Sequence, residues 1–336
     1  MAPRIRPFAP SDLPGVVAIT NANHPNHPTS LDEARSAMRD ADRLELTRYV
    51  ADDATADGAD AGHDTTTVIG WGQIAHLPWM FHARKYELRL EVEPGRRRRG
   101  IGGALFDRLL GDLQEREALL ARASATEGDD ESIGFAVRRG FREVWRNLES
   151  RLGVSSFDPG RFAGAEERVA AQGITIGTLP EELARDPDAL RKVYDMNLMI
   201  ARDHEELDIL TMPPFEEYVA DEVDGPVGMP DAWFLARDGD AIIGASTLQR
   251  LPGSTEVVET GHTAVHPDYR GRGIALVLKL RTIEYASQHG IATIQTDSNA
   301  GNERMLAINR ALGFASQPAR ITFELQLEQD GPAEDL

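Results

Sequence analysis

Apolar and polar positions follow two different periods on either side of one short turn in this chain. Val257–Val265 has the pattern of a β-strand, and residues 276–286 place apolar side chains at helical spacing. The segment between them, residues 266–275, contains Gly271 and Gly273. We therefore predict a strand, a glycine-rich turn and a helix in direct succession.

The turn has the properties of an anion-binding site. Glycine lets the backbone approach a bulky anion, and the N-terminus of the following helix adds about half of a positive charge. Arg270 and Arg272 lie in the same turn. No Gly-Lys-Ser/Thr ending is present, and the dinucleotide pattern G-x-G-x-x-G meets Leu276 at its third glycine. The sequence therefore predicts a phosphate or pyrophosphate site that is neither a nucleoside-triphosphate loop nor a dinucleotide loop.

A longer motif around the turn points to one superfamily. Arg-x-x-Gly-x-Ala, residues 270–275, follows Val-x-Pro, residues 265–267. This resembles the coenzyme A pyrophosphate loop of the GCN5-related N-acetyltransferase superfamily. The downstream helix with Asn302 and the closing Gly-Phe pair at 313–314 match the same pattern. The resemblance covers about residues 256–314.

A second copy of the signature lies earlier in the chain, at residues 92–103. Its expected cofactor-binding residues are Val92, Arg97, Arg98, Arg99, Gly100 and Gly102. Arg97 and Gly140 stand 43 positions apart, as do Arg270 and Gly313, and the offset between the copies is 173 residues. This period is too long for a solenoid unit and fits a duplicated domain.

The resemblance implies an α/β fold with a mixed sheet, built as two tandem domains. Each is expected to have a mostly antiparallel, twisted central sheet flanked by helices. We predict an N-terminal domain over residues 1–155, a linker over 156–172 and a C-terminal domain over 173–330. The two-domain layout is similar to that of the mycothiol synthases within the superfamily, but the acceptor regions carry no motif that assigns their substrate.

Composition excludes several other classes of function. The chain has no cysteine, so disulfides, cysteine nucleophiles and thiolate metal sites are absent. No uninterrupted apolar run approaches the length of a membrane span, and residues 1–6 lack the apolar centre of a signal peptide. We therefore expect a cytoplasmic protein that does not bind membranes.

Charge is unevenly distributed. The net charge of −19 argues against nucleic-acid binding and suits either cationic ligands or solubility alone. Against this background the four arginines of 96–99 stand out, and their place before Gly100 favours phosphate contact. His24 and His27 lie in a loop without a nearby carboxylate or a third histidine, so we predict no metal site. By resemblance, either histidine is a candidate for contact with the acceptor substrate.

The resemblance also assigns roles in acyl transfer from acetyl-coenzyme A to an amine. Glu259 stands at the spacing of a general base, with His262 in reserve. The backbone N–H of Val265 is the expected donor to the thioester oxygen. The residues expected to bind the cofactor in the second copy are Ala264, Val265, Arg270, Gly271, Arg272, Gly273, Ile274, Ala275 and Asn302.

Departures from the superfamily pattern leave the function open. Besides the two hypotheses below, aminoacyl or other acyl transfer with a different donor is a third option. Many relatives carry a tyrosine acid where this chain has Asn309 in the second copy and Ala136 in the first. The first copy also has Tyr86 and Asp129 where the second has Glu259 and Asn302, so the second copy is predicted to be catalytic. The main hypothesis is an N-acetyltransferase acting on a small-molecule amine, as a monomer or homodimer. The alternative is a non-catalytic acyl-coenzyme A-binding or regulatory protein.

Overall fold

The chain divides into two units. In this computed structural model, the described residues are 3–25, 28–38, 44–53, 67–77, 80–203, 212–251 and 254–327. One unit combines Met1–Val144 with Ile321–Leu336, and the other is Trp145–Arg320. Each unit contains one copy of the glycine-rich turn.

The first unit alternates strands and helices. Its strands are β1 (Arg4–Pro7), β2 (Thr47–Asp52), β3 (Val68–Ala75), β4 (Lys85–Val92) and β5 (Leu120–Thr126). Its helices are α1 (Leu13–Asn23), α2 (Leu31–Ala37), α3 (Ile101–Glu115) and α4 (Asp130–Val137). β1 to β4 pair antiparallel in succession, and β4 pairs with β5 in parallel. Leu105, Leu109 and Leu113 recur at helical spacing along α3 and are fully buried in the core of this unit.

The second unit repeats this order. Its strands begin with β6 (Arg142–Gly153), of which Trp145–Gly153 lies in this unit, and continue with β7 (Ile174–Thr178), β8 (Trp233–Asp238), β9 (Ala241–Arg250), β10 (Val257–Val265), β11 (Thr293–Asn299) and β12 (Ala315–Ser316). Its helices are α5 (Ala165–Ala170), α6 (Leu179–Arg185), α7 (Ala189–Asp203), α8 (Phe215–Tyr218), α9 (Ile274–Gln288) and α10 (Glu303–Leu312). β7 to β10 pair antiparallel in succession, β10 pairs with β11 in parallel, and β11 pairs with β6 antiparallel. The predicted mixed α/β fold, mostly antiparallel with flanking helices, is confirmed.

Helices cover both faces of the second sheet, defined as the paired strands β6 to β11 of the second unit. Along β8, Trp233 and Leu235 belong to a core formed with α6, α7 and α8, whereas Phe234 and Ala236 belong to a core formed with α9. This alternation follows from the two-residue period of a strand. Residues of the second sheet can therefore be assigned to the α7–α8 face or to the α9–α10 face.

Two strands lie in a different unit from the one that the predicted boundaries give them. The boundary at 155 assigns β6 to the first domain, but Leu152 is buried in a core of the second unit. The last strand, β13 (Arg320–Gln326), lies beside β5, and its Ile321 and Phe323 are buried in the core of the first unit. Each sheet is thus completed by a strand that sequence order assigns to the other half.

The segment predicted as a linker is structured. Helix α5 lies within it, and Ala165 and Val169 are buried with Ile274 of α9 in a core of the second unit. Among the described residues, no helix combines the length and apolarity needed to cross a membrane. The residues that the structure describes also contain no group of three or more side chains that could hold a metal ion.

Candidate active site

The two predicted phosphate loops, residues 94–100 and 267–273, share one backbone conformation. Each begins with a 3₁₀ turn, Pro94–Arg96 in the first loop and Pro267–Tyr269 in the second. Each ends on a glycine that precedes a helix, Gly100 with φ of 82° and Gly273 with φ of 86°. Because positive φ favours glycine, the repeated glycines are explained by the backbone.

A second pair of positions in the loops has the same conformation but different residues. Gly271 has φ of 79°, and Arg98, at the equivalent position, has φ of 62°. A Cβ atom built on Gly271 would meet no heavy atom within 4 Å. The second loop is therefore open at this point, and the first loop shows that a side chain can be carried there.

The second loop is held in place by its own arginines and by Gln172, which follows α5 in the chain. The Arg270 Nε donates to the Val265 carbonyl at 3.3 Å, and an Arg272 guanidinium nitrogen donates to the Asp268 carbonyl at 3.1 Å. The Gln172 side chain donates to the Arg272 carbonyl at 3.2 Å. These contacts fix the turn while leaving both guanidinium groups beside it.

The second loop fits a diphosphate. No side chain caps the N-terminus of α9, so the first backbone N–H groups of that helix have no partner within it. The helix dipole and the two arginines add positive charge at the same place. Open space at Gly271 and exposure at Gly273 allow an anion to approach the backbone.

Beyond the loop, the two central strands of the second sheet separate. Parallel pairing of β10 with β11 is limited to Val257–Glu259 and Thr293–Gln295, although both strands continue. A β-bulge between Thr260 and Thr263 on β10 changes its register against β9. The rest of β10, which includes Ala264 and Val265, is not paired with β11, so a strand edge is available to an extended ligand.

Glu259 lies at the last paired position, where the two strands begin to separate. It is half-buried, and its Cα neighbours across the sheet are Gln249 on β9 and Gln295 on β11. Burial, together with the negative charges of Asp297 and Glu149, raises the pKa of Glu259 to about 7. A carboxyl group with this pKa can accept and release a proton near neutral pH.

His262 is held by hydrogen bonds at both ring nitrogens. Its Nε2 lies 3.3 Å from the Asn197 side-chain nitrogen, and its Nδ1 lies 3.3 Å from the Thr247 hydroxyl. Since Asn197 donates, Nε2 accepts and Nδ1 carries the proton towards Thr247. Burial lowers the pKa of His262 to about 4, so the ring is neutral at pH 7. This geometry favours a positioning role over that of a base.

Glycine has a steric purpose at Gly261 in the β-bulge. A Cβ atom there would lie 2.7 Å from the Thr247 hydroxyl oxygen and 2.8 Å from the Gln249 side-chain carbon Cδ. Any larger residue would displace the side chains next to Glu259 and His262. Gln249, Gln295, Asn197 and Thr247 could not be recognised from sequence, because their proximity to Glu259 and His262 arises only from strand pairing and helix packing.

Asn302 and Asp129 occupy equivalent positions at the start of a helix. The Asn302 side-chain oxygen accepts a hydrogen bond from the Met305 backbone N–H at 3.2 Å, and the Asp129 carboxylate accepts one from Ser132 at 3.1 Å. Both residues therefore act as N-caps, for α10 and α4. Contact of Asn302 with a cofactor remains a prediction.

The first unit has different residues at the place where its strands separate. Tyr86, at the position equivalent to Glu259, is buried and stacks on His76 with ring centroids 4.3 Å apart. Arg122, at the position equivalent to Gln295, donates to the Glu324 carboxylate at 2.7 Å. Buried aromatic and ion-paired side chains thus replace the carboxylate that a base would need.

The arginines of the first loop interact with the same unit. An Arg97 nitrogen donates to the Asn23 side-chain oxygen at 2.7 Å, and another lies 3.4 Å from Glu131. His24 Nε2 lies 3.4 Å from the Glu91 carboxylate. Burial alone would raise the pKa of Glu91, but hydrogen bonds from His24 and other donors lower it to about 2. His24 thus belongs to an internal network, whereas His27 lies outside the described residues.

Both halves of the chain are similar to known proteins. The profile of the Acetyltransferase (GNAT) family matches residues 18–141 and 194–314. The mycothiol acetyltransferase of Clavibacter michiganensis is 27% identical over 245 residues, which cover 70% of this chain and 71% of the relative. The mycothiol acetyltransferase of Actinosynnema mirum is 26% identical over 253 residues, with coverages of 70% and 73%.

Two solved structures have the same fold across almost their full length. The GCN5-related N-acetyltransferase of Sphaerobacter thermophilus has a TM-score of 0.70 at 18% identity and covers 99% of this chain and 98% of its own. A tandem GNAT protein from the clavulanic acid biosynthesis pathway has a TM-score of 0.68 at 19% identity, with coverages of 98% and 100%. The tandem arrangement inferred from the repeat is therefore shared with a solved protein.

Proposed function

The chain belongs to the Acetyltransferase (GNAT) family, and from this premise we propose that it transfers an acetyl group from acetyl-coenzyme A to the amine of a small molecule. The transfer takes place in the second unit, by direct attack of the amine in a ternary complex. The observation that carries the proposal is Glu259, a half-buried carboxyl group with a pKa of about 7 where β10 and β11 separate.

Acetyl-coenzyme A supplies an activated acyl group as a thioester. The second phosphate loop binds the diphosphate through the backbone N–H groups of residues 272–275 and through Arg270. The unpaired edge of β10 aligns the extended arm through main-chain hydrogen bonds, and Asn302 adds a side-chain contact. The backbone N–H of Val265 donates to the carbonyl oxygen as it gains negative charge.

Glu259 prepares the acceptor. An alkylamine with a pKa of about 10.4 must lose a proton before it can attack, and at pH 7 this costs roughly 4–5 kcal/mol. Glu259 takes that proton, directly or through one water molecule, and later releases it to solvent. The leaving thiol has a pKa of about 8.5, so that a thiolate can leave without a dedicated side-chain acid. This accounts for function with Asn309 at the position of the tyrosine.

The test is release of free thiol from acetyl-coenzyme A in the presence of a panel of primary amines. We expect turnover with at least one amine, and loss of that turnover in Glu259→Gln without loss of cofactor binding. Tight cofactor binding with no turnover for any amine would instead favour the non-catalytic acyl-coenzyme A-binding protein.

A further inference from the structure

The surroundings of Glu259 are rich in hydrogen-bond acceptors. Strand register places its neighbours on one face, because paired residues and residues two apart on a strand point the same way. Gln295 is paired with Glu259 in β10–β11 and with Arg151 in β11–β6, and Asp297 is paired with Glu149. Their strand neighbours Val258, Ile294 and Leu152 are buried in the core with α9 and α10, so all five side chains lie on the opposite, α7–α8 face of the second sheet.

One of these neighbours is buried with an unused acceptor. Gln295 is 5% exposed, and its side-chain oxygen has no hydrogen-bond partner among the described residues. A buried carbonyl without a donor destabilises the fold, so its retention calls for an explanation. A ligand that donates hydrogen bonds beside Glu259 would supply one.

Charge on this face is predominantly negative. Asp297 and Glu149 lie close enough to Glu259 to oppose its ionisation. On the other side of Glu259, the Gln249 side-chain nitrogen donates to the carboxylate of Glu222. The nearby cation Arg151 is already engaged, since its Nε donates to Glu149 at 2.8 Å.

We infer that Glu259 and Gln295 together bind the acceptor as a primary ammonium ion that has no carboxylate next to it. An ammonium group offers three donors and no acceptor, which matches a carboxylate beside an unpartnered carbonyl. A free α-amino acid would bring its own carboxylate within about 3 Å of the ammonium and towards Asp297 and Glu149. The acceptor is therefore an alkylamine, an amino sugar or an amine whose neighbouring carboxyl group is an amide. This inference rests on the proposed function, because it places that reaction's acceptor.

The test is equilibrium binding, measured by calorimetry at pH 7 with free coenzyme A present so that no transfer can occur. The probes are n-butylamine, glucosamine, alaninamide and alanine, and the last two differ only in the carboxyl group. We expect at least one of the three amines without a carboxylate to bind, and alanine to bind at least about tenfold more weakly than alaninamide. Equal affinity for alanine and alaninamide, or no binding of any probe, would overturn the inference.

Variants assign the contact to Gln295. Gln295→Met should weaken binding of the amine by about tenfold, because one hydrogen bond to a charged group is lost. Gln295→Glu should strengthen it, which a merely structural glutamine would not do. Thr282→Val is the matched control, since Thr282 is buried on α9 and its hydroxyl donates to the Lys279 carbonyl. Unchanged affinity in Gln295→Met, or weaker binding in Gln295→Glu, would contradict the assignment.

A further variant tests the exclusion of carboxylates. Glu149→Gln removes one of the two carboxylates that oppose a second negative charge beside Glu259, so the difference between alanine and alaninamide should become smaller. An undiminished difference would count against the charge argument. Thiol release separates the two proposals. If the wild type turns over and Gln295→Met turns over equally well, only this inference fails. If the wild type binds an amine but shows no turnover, only the proposed function fails.

Discussion

Glu259 is a residue whose two protonation states have similar free energies near neutral pH. Burial disfavours its charge, and the neighbouring carboxylates of Asp297 and Glu149 add repulsion, so its pKa is about 7 compared with an ordinary 4.5. A base of this kind accepts a proton more readily than an exposed glutamate and can still release it at pH 7. The same environment thus supplies both basicity and turnover.

The pH dependence of the reaction should follow this carboxyl group. We expect kcat/KM to fall as pH drops below about 7, because Glu259 becomes protonated and can no longer act as a base. Asp297→Asn removes one repelling charge, so it should lower the pKa of Glu259. The fall in kcat/KM, the acidic limb of the pH profile, should then move to lower pH. Rate profiles from pH 5.5 to 9 measure the shift; a limb that stays in place would show that another group controls it.

Substitution of the base should lower the rate strongly. Glu259→Gln keeps the shape of the side chain but cannot accept a proton, so we expect kcat to fall by about 10²–10⁴-fold. Affinity for coenzyme A should not change, because the second phosphate loop is untouched. Steady-state kinetics and calorimetry on the same preparation check both; a rate within threefold of wild type would exclude Glu259 as the base.

The raised pKa of Glu259 also predicts a cost in stability. The folded protein holds this proton more tightly than the unfolded chain, so the contribution of Glu259 to stability falls as pH rises from about 4.5 to about 7. Glu259→Gln removes the ionisable group and should raise the melting temperature at pH 8 more than at pH 5. Calorimetric melting at both pH values tests this. An equal change in melting temperature at pH 5 and pH 8 would mean that ionisation of Glu259 does not destabilise the folded protein.

At the residue scale, sequence alone predicted those site residues that stand at a fixed spacing from the phosphate loop along the chain. Glu259 was found by its distance from the loop. Gln295 and Gln249 were not, because each lies next to Glu259 only through strand register, which is a property of the folded sheet. The partners of His262 come from β9 and α7, and no local pattern connects them in the chain.

At the scale of elements, the backbone geometry of the phosphate loops was predictable from sequence, but the residue type at every position of that geometry was not. The glycines at the two helix starts were identified from sequence, and both adopt positive φ. Arg98, which has positive φ without being glycine, could not be recognised by residue type. Helix α6 was missed, although Thr178 and Glu181 form a capping box at its start, a signal that the sequence does carry.

The equivalence of Arg98 and Gly271 gives a matched test of the second loop. Gly271→Glu places a negative charge at the proposed diphosphate site, whereas Gly271→Arg copies the residue of the first loop. We expect Gly271→Glu to weaken coenzyme A binding by more than about tenfold and Gly271→Arg to retain it, because repulsion and not backbone strain causes the loss. Calorimetry on both variants decides; equal losses would indicate a steric effect.

At the scale of the whole molecule, sequence order and structural order differ. The repeat with an offset of 173 residues predicted the duplication, and the family profile matches both halves. It could not predict that β6 and β13 complete sheets in opposite halves, because strand pairing over such distances leaves no periodic signal. Leu152 and Phe323 therefore belong to the cores of the units that the sequence boundaries would not give them.

Because β6 and β13 each lie in the unit of the opposite half of the sequence, a core substitution in one strand should destabilise that opposite half. Phe323→Ala should cost about 3–5 kcal/mol and Leu152→Ala about 2–5 kcal/mol, since both side chains are 2% exposed. Amide hydrogen exchange after Phe323→Ala should show the largest loss of protection in β3, β4 and α3, which precede it by about two hundred residues or more. Leu152→Ala should instead affect β10, β11 and α9 most strongly. If each variant loosened its own half of the sequence, β6 and β13 would not be exchanged in solution.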